Sequence, residues 1–303
     1  MKLEFDYAFA AGANSQRTPL GVNGETDILT DVMLASPLYL EAIPCCAATR
    51  ASLRDGFAIS KADAVHQHLR LQELLERHGV RCHIMPPRPD LPDLCFTRDA
   101  AVMTPWGLLG LNPSTAHRAD EVDHVLQFAR SSDIPVTGTV RRGTAEGGDI
   151  CIARPGLVFV GCSGERTNEE GAGSVAELFR AAGWEAIIYR FDPHFLHLDT
   201  QFCMVREDLA LACTDVLSDE FLATLDRLGI ATIPVTYKEA ARLGCNILAL
   251  GRDRIVSSSD NERVNALLTA RGLAVDTVDV SQFTHCGGGI HCLTMPLARV
   301  PAL

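Results

Sequence analysis

Two His-Cys pairs, His285-Cys286 and His291-Cys292, flank the glycines Gly287–Gly289 in the stretch HCGGGIHCLTMP. Residues of these types could form a metal knot, a pair of buried thiols, or one nucleophile on a tight loop. Zinc ligands normally pair across two to four residues. Here each pair is adjacent, and no CxxC or HxxxH occurs elsewhere in the chain, which speaks against a metal knot. A thiolate is a good nucleophile near neutral pH when a cation or a donor lowers its pKa. A run of glycines lets the backbone turn sharply enough to present a sulfur. Cys292 is therefore the candidate nucleophile, with His197 as the candidate base brought to it through space.

Polar residues that would be awkward in a core recur in short stretches spread along the chain. PDLPDLCFTRDAA carries Asp93, Arg98 and Asp99, GTAEGGDI carries Glu146 and Asp149, and HFLHLDTQFC carries His197 and Asp199. If these stretches converge, several carboxylates share a pocket with Cys292. Acids without a metal-ligand pattern suit an organic cation, and the planar fork of a guanidinium matches paired carboxylates best. Arg118 in NPSTAHR and Arg166 in GERTN fall in turn-like segments after strands, where they could hold a substrate carboxylate. His285 and Cys286 read as supporting positions, His194 as a surface or core histidine, and Met204 and Met295 as packing.

These stretches sit at the joints of a repeat. Past residue 30, a short apolar strand, a polar turn, a helix and another β-rich run recur five times, at intervals of roughly 40 to 60 residues. The clearest copy is NILALGRDRIVSSSDNERVNALLTARGLAVDTVDV. Ile247–Leu250 and Arg254–Val256 read as strands around Gly251-Arg252-Asp253. Ser259 with Glu262 predicts a capping box, Val264, Leu267 and Leu268 a helix stripe, and Gly272 the helix stop. Gly183 and Gly229 stop the helices of two other copies. Units unable to bury their apolar faces alone imply a closed ring or a solenoid, although a doubly wound α/β sheet alternates the same elements. A ring would also bring every entry segment to its axis.

The 303 residues suffice for a large core, and 47% hydrophobic with 21% charged residues is a globular composition. With 27 basic and 38 acidic residues the formal charge is −11, which disfavours nucleic acid and anionic membranes as partners. No stretch approaches 18 consecutive apolar residues, and the start MKLEFDYAFA lacks the basic and apolar regions of a signal peptide. The expected location is the cytoplasm. There the 11 cysteines stay mostly free thiols, with Cys151, Cys203 and Cys213 buried as small hydrophobes.

FTRDAA, EGGD, HLDT and GGGIHCLTMP follow in an order and spacing that resembles the guanidino-group modifying enzymes, from about Asn14 to Pro296. That group comprises arginine deiminases, dimethylarginine dimethylaminohydrolases and amidinotransferases. The resemblance implies a five-bladed α/β propeller of ββαβ units with pseudo-fivefold symmetry, forming one catalytic domain over residues 1–303. It implies Cys292 as the attacking residue and His197 as general acid and base. Glu146, grouped with that catalytic set, and Asp99 match acids that hold the guanidinium, and Asp199 matches a further one. Arg118 and Arg166 resemble the arginines that bind the substrate α-carboxylate. Asp93 resembles a substrate-binding Asp of the dimethylarginine enzymes, where deiminases tend to have Asn.

The implied reaction converts arginine or an Nω-methylated arginine to citrulline plus ammonia or a methylamine, through a covalent thiouronium intermediate. The implied partner is a small guanidino substrate, with no metal or organic cofactor, no nucleic acid and no membrane; a homo-oligomer is compatible with it. Chain length and Asp93 lean toward the dimethylarginine enzymes, whereas FTRD and HLDT lean toward the deiminases. Competing readings are an amidinotransferase, a short arginine or citrulline hydrolase releasing ornithine, and an arginine-binding sensor without catalysis.

Overall fold

The computed structural model describes residues 20–302. The MKLEFDYAFA segment and Asn14, where the resemblance begins, lie outside the described residues. The first unit comprises β1 (Ile28–Ala35), α1 (Ala47–Arg54), α2 (Lys61–Arg77) and β2 (Arg81–Met85). The second runs through β3 (Ala101–Thr104), β4 (Gly107–Gly110), α3 (Ala119–Ser131) and β5 (Val136–Thr139). The third has β6 (Ile150–Arg154), β7 (Leu157–Cys162), α4 (Glu169–Ala181) and β8 (Glu185–Arg190). The fourth has β9 (Phe202–Arg206), β10 (Leu209–Cys213), α5 (Asp219–Arg227) and β11 (Ala231–Val235), followed by the short α6 (Tyr237–Ala240). The fifth has β12 (Leu248–Gly251), β13 (Arg254–Ser258), α7 (Glu262–Ala270) and β14 (Ala274–Val278). A short α8 (Ser281–Thr284) and β15 (Met295–Val300) complete the described chain.

This is a mixed α/β fold of five three-stranded sheets built to one plan. In each, two antiparallel strands are followed across a helix by a parallel third strand, as β3 pairs β4 and β4 pairs β5. The first sheet obeys the plan by borrowing. Its antiparallel strand is β15, which pairs β1 from Ile28 with Val300 to Met33 with Met295, while β2 is parallel to β1. That pairing carries the HCGGGIHCLTMP stretch back to the first unit.

The local chemistry explains the plan. β7 (LVFVGC) and β10 (LALAC) are buried at every position, the pattern of strands covered on both faces. The third strands β8, β11 and β14 mix exposed and buried positions, as outer strands do. Side chains of Ser60, Asn168 and Ser218 cap α2, α4 and α5 by accepting from backbone amides in the first turn. Gly183, Gly229 and Gly272 take left-handed φ just past their helices, as expected. The capping box expected at Ser259 and Glu262 is not formed. Ser259 stays bonded to β14 through its amide and Val278 O (3.0 Å), so the helix begins only at Glu262, with Asn261 before it.

Apolar packing passes from sheet to sheet. Phe159 of β7, Phe202 of β9 and Phe221 of α5 meet edge to face at 5.4 to 5.5 Å, joining the third and fourth units. Burying each such side chain contributes on the order of 1.5–3 kcal/mol. β12 packs on β9 and on β1, β15 packs on β3, and β6 packs on β9. Asn112 bridges Ala145 between the second and third units. The fifth sheet therefore lies against the first, and the segments entering each sheet lie together. Among the described residues, no helix is long and apolar enough to cross a membrane.

Candidate active site

An entry segment precedes the first strand of each of the five sheets, and each contributes at least one buried polar side chain. Asp99 precedes β3, Glu146 precedes β6, His197 precedes β9, Asn246 precedes β12 and Cys292 precedes β15. All five are buried, with relative exposures between 0% and 4%. Chain entry into a strand leaves backbone groups free to be turned by tight 3₁₀ segments, here Gly147–Asp149 and Leu198–Thr200.

The Cys292 loop is held from two sides. Asn246 Oδ1 accepts from the amides of His291 (3.0 Å) and Cys292 (3.3 Å), while Asn246 Nδ2 donates to Cys292 Sγ (3.2 Å). The three glycines are demanded by close approaches. A methyl group at Gly288 would sit 2.2 Å from Phe96, and one at Gly289 would sit 2.6 Å from Asn246 Oδ1. Gly287 has φ +85° and lies against Cys46 Sγ. Arg98 donates its amide to Cys292 O (3.2 Å), tying the loop to the FTRDAA segment.

His197 is fully buried, and its Nε2 donates to Glu146 Oε2 at 2.8 Å. Its other nitrogen, Nδ1, has no hydrogen-bond partner and lies 3.7 Å from Asp99 Oδ1. Burial works to lower the His197 pKa, but Asp99, the Glu146 hydrogen bond and Asp149 push it up to about 10. These acids favour the protonated ring. Gly148 of EGGD makes room for it, since a methyl group there would lie 2.6 Å from Nδ1. Asp149 fixes the turn behind it by accepting from Leu198 N (2.8 Å), and burial pushes this carboxyl up to about 6.

Glu146 is saturated. Oε2 takes Arg166 Nη1 (2.8 Å) as well as His197, and Oε1 takes the amide of Ser114 (3.1 Å). Burial would raise its pKa, yet His197 and Arg166 hold it well below the carboxylate range. Asp99 offers Oδ2 to Arg118 Nη1 (2.5 Å) and keeps Oδ1 unpartnered. Asp199 accepts from His291 Nδ1 (2.8 Å) through Oδ2, which also lies 3.6 Å from Cys292 Sγ, and its Oδ1 is unpartnered. Burial would raise Asp199, but the His291 bond lowers it. Burial, then the charges of Asp199 and Asp99, push the Cys292 thiol well above its ordinary value.

The two arginines expected to hold a substrate carboxylate are already engaged by internal partners. Arg118 is buried and bonded to both oxygens of Glu121, to Asp99, and to the carbonyls of Asp93 and Phe96. Arg166 pairs with Glu146 and donates to Cys45 O (3.3 Å). Asp93 accepts from His117 Nε2 (2.8 Å). Asp93, Asp99, Arg118, Arg166 and Cys292 nonetheless line one narrow cavity of about 20 Å³, with room for a water or two. A separate cleft of about 760 Å³ between α2 and β14 contains none of these residues.

The family model described as N,N dimethylarginine dimethylhydrolase, eukaryotic, matches residues 47–299. The chain belongs to this family. The uncharacterized protein YkgA of Bacillus subtilis is 29% identical over 275 residues, 91% of this chain and 94% of that protein. An arginine deiminase of Mycobacterium marinum is 30% identical over 251 residues, 70% of this chain and 61% of that protein. Among solved structures, a dimethylarginine dimethylaminohydrolase from Pseudomonas aeruginosa complexed with citrulline superposes with a TM-score of 0.73. It covers 88% of this chain and 99% of that one at 20% identity, which establishes the shared fold.

Within this family frame, Asn246 and Glu25 carry no motif in the sequence, and His291 stands out there only as half of a His-Cys pair. His291 lies between Asp199 (2.8 Å) and Glu25 (3.5 Å), behind the sulfur. The repeat itself holds a signal for Asn246: four of five strand entries carry a titratable polar residue or Cys, and the fifth, GCNILAL, carries Asn246 in the matching place.

Proposed function

We propose that this protein is a cysteine-dependent hydrolase of the guanidino group of arginine or an Nω-methylated arginine, releasing citrulline with ammonia or a methylamine. The observation that carries this reading is a set of three buried, unpartnered atoms near Cys292: Asp99 Oδ1, whose residue lines the cavity beside the sulfur, His197 Nδ1, 3.7 Å from that oxygen, and Asp199 Oδ1, on the carboxylate whose other oxygen lies 3.6 Å from the sulfur. Buried polar atoms without partners are rare, and each is expected to meet a ligand group. Two carboxylate oxygens beside a thiol suit the N–H fork of a guanidinium. Family membership and the cavity lining support the same substrate class.

In this reading Cys292 is the nucleophile. Its thiol is held protonated by burial and two carboxylates, so a bound guanidinium that offsets those charges lowers its pKa as substrate arrives, and the thiol proton passes to solvent. The thiolate, steadied by Asn246 Nδ2, adds to the guanidinium carbon and the C–S bond forms. His197, cationic and oriented by Glu146, gives its proton to the departing nitrogen as the C–N bond breaks. The resulting thiouronium carbon is attacked by water, which passes one proton to His197, and as the C–S bond breaks the remaining hydroxyl proton goes to the departing sulfur, leaving citrulline and the Cys292 thiol.

Asp99 and Asp199 hold the guanidinium and Arg118 and Arg166 face the carboxylate end, with their charges already balanced by internal acids. Asp93 contributes to the same lining. Five sheets with the fifth against the first support a five-bladed propeller with pseudo-fivefold symmetry, acting as one catalytic domain over 1–303. Incubation with arginine, monomethylarginine and asymmetric dimethylarginine, with and without an amine acceptor, followed by mass analysis, tests the reading. Citrulline from native protein and none from Cys292→Ser supports it. A new guanidino compound would make the protein a transferase, and no product from any substrate would sink the hydrolase reading.

A further inference from the structure

Three groups of His, Cys and acidic side chains among the described residues bring their ligand atoms within 4.8 Å of one another. Two of them, Asp99–Glu146–His197 and Glu25–Cys203–His291, already hold a protein cation against the acid. Arg118 reaches Asp99 at 2.5 Å, Arg166 reaches Glu146 at 2.8 Å, and Arg98 reaches Glu25 at 3.7 Å. A metal ion there would face a guanidinium. The third group, Cys45–Asp93–His117, differs. Arg118 and Arg166 touch it only through backbone carbonyls, Asp93 O (3.4 Å) and Cys45 O (3.3 Å). Their charges are balanced elsewhere, by Glu121, Asp99 and Glu146.

The donor set is also the right kind. Sulfur, imidazole nitrogen and carboxylate oxygen together are the ligands of zinc and of cobalt in its place, and three protein ligands leave an open position. His117 Nε2 and Asp93 Oδ2 are preset at 2.8 Å, while Cys45 and His117 are partly exposed, which gives an ion a way in. The neighbouring Cys46 lies within hydrogen-bond reach of Cys45, with its sulfur also in contact with Thr49 Oγ1 (3.2 Å) and packed against Gly287. The three ligands come from separate segments, the loop before α1, the approach to β3, and the turn Ala116–Arg118.

We propose that Cys45 Sγ, the Asp93 carboxylate and His117 Nε2 form a binding site for a zinc-class divalent cation at the mouth of the catalytic cavity. Cys45 and Asp93 line that cavity, so an ion joining them to His117 ties its walls together and bars entry. The ion is an inhibitor, not a cofactor. The barring of entry rests on the guanidino reading of the cavity; the binding itself does not.

Cobalt(II) titration of the full chain tests the binding without reference to turnover. A thiolate-to-cobalt charge-transfer band should saturate at one ion per chain, be displaced by Zn²⁺, and persist unchanged in Cys292→Ser. It should vanish in Cys45→Ser. In His117→Ala, a substitution at a partly exposed position, affinity should fall at least ~10-fold, since even partners outside the ligand shell are worth about 10- to 100-fold. No band, or a band lost in Cys292→Ser and kept in Cys45→Ser, overturns the site. For the blocking step, Zn²⁺ at saturation should slow turnover in native protein, and Cys45→Ser should need at least ~10-fold more. Unchanged turnover with the cobalt-defined site filled refutes the blocking and leaves the hydrolase reading intact.

Discussion

Asn246 provides the sharpest test of how the Cys292 sulfur is held. Its Oδ1 is the acceptor for the buried amides of His291 (3.0 Å) and Cys292 (3.3 Å), and its Nδ2 donates to Cys292 Sγ (3.2 Å). Asn246→Ala strands two buried amides, each worth about 1–3 kcal/mol when left without a partner. The summed loss of roughly 2–6 kcal/mol is a large share of the stability of an ordinary domain, about 5–15 kcal/mol. Asn246→Asp separates the two roles. The carboxylate still accepts from both amides, but it removes the donor on the sulfur and adds a third negative group beside Asp99 and Asp199. Loss of a hydrogen bond to a charged thiolate is worth about 1.5–3 kcal/mol, or roughly 10- to 150-fold in kcat/KM. The thiol pKa should also rise, moving the acidic limb of the kcat/KM profile to higher pH. The assays are urea unfolding for Asn246→Ala and citrulline formation across pH for Asn246→Asp. If Asn246→Asp keeps kcat/KM within about twofold and leaves the profile in place, the amide does not steady the attacking sulfur and the reasoning fails.

Cys292→Ser should lose turnover while substrate affinity, read by calorimetry, stays within roughly tenfold, because a neutral hydroxyl alters few contacts but cannot attack guanidinium; near-native turnover would refute the covalent route. Asp199→Asn should reduce kcat/KM for arginine by roughly 10- to 150-fold and for asymmetric dimethylarginine by less, since a methylated nitrogen offers fewer donors to the lost carboxylate; a native preference for the dimethylated substrate with equal losses would show that Asp93, not Asp199, reads the methylation state. His197 has a folded-state pKa of about 10 against an ordinary 6.5, so its contribution to stability is complete below 6.5 and is lost as pH rises through about 10. Unfolding free energy should therefore fall across that window in native protein and fall less in His197→Gln, as chemical denaturation at several pH values would reveal. Activity should survive dialysis against a chelator, because no step of the proposed chemistry uses a metal; loss of activity that Zn²⁺ restores would contradict this.

The repeat, its strand entries and its helix stops were legible in the chain because each depends on near neighbours. Gly183, Gly229 and Gly272 follow apolar stripes, and each takes the left-handed φ that a helix end requires. The strands of the GRD hairpin lie where the alternation placed them, with β12 at Leu248–Gly251 and β13 extended to Ser258. Ser259 does not cap its helix because its amide answers to Val278, a residue of another strand. Cys292, His197, Glu146, Asp99 and Asp199 could be singled out because acids, a His and a Cys stand out from the apolar runs around them.

Their partners could not be read the same way. Asn246 is an ordinary polar residue in sequence, and only the approach of the last loop, 46 positions away, turns its amide into the clamp on the sulfur. Arg118 and Arg166 have the local sequence of free surface cations, and the folded chain buries both against Glu121, Asp99 and Glu146. His117 and Cys45 carry no motif at all, yet they meet over Asp93. Local propensity and residue chemistry thus determined which groups this protein has and where its elements begin and end. Which group faces which, and which atoms are left unpartnered for a ligand, was decided only when β15 paired with β1 and brought the entry segments together, because contacts between residues tens to hundreds of positions apart depend on that closure and on nothing nearer in the chain.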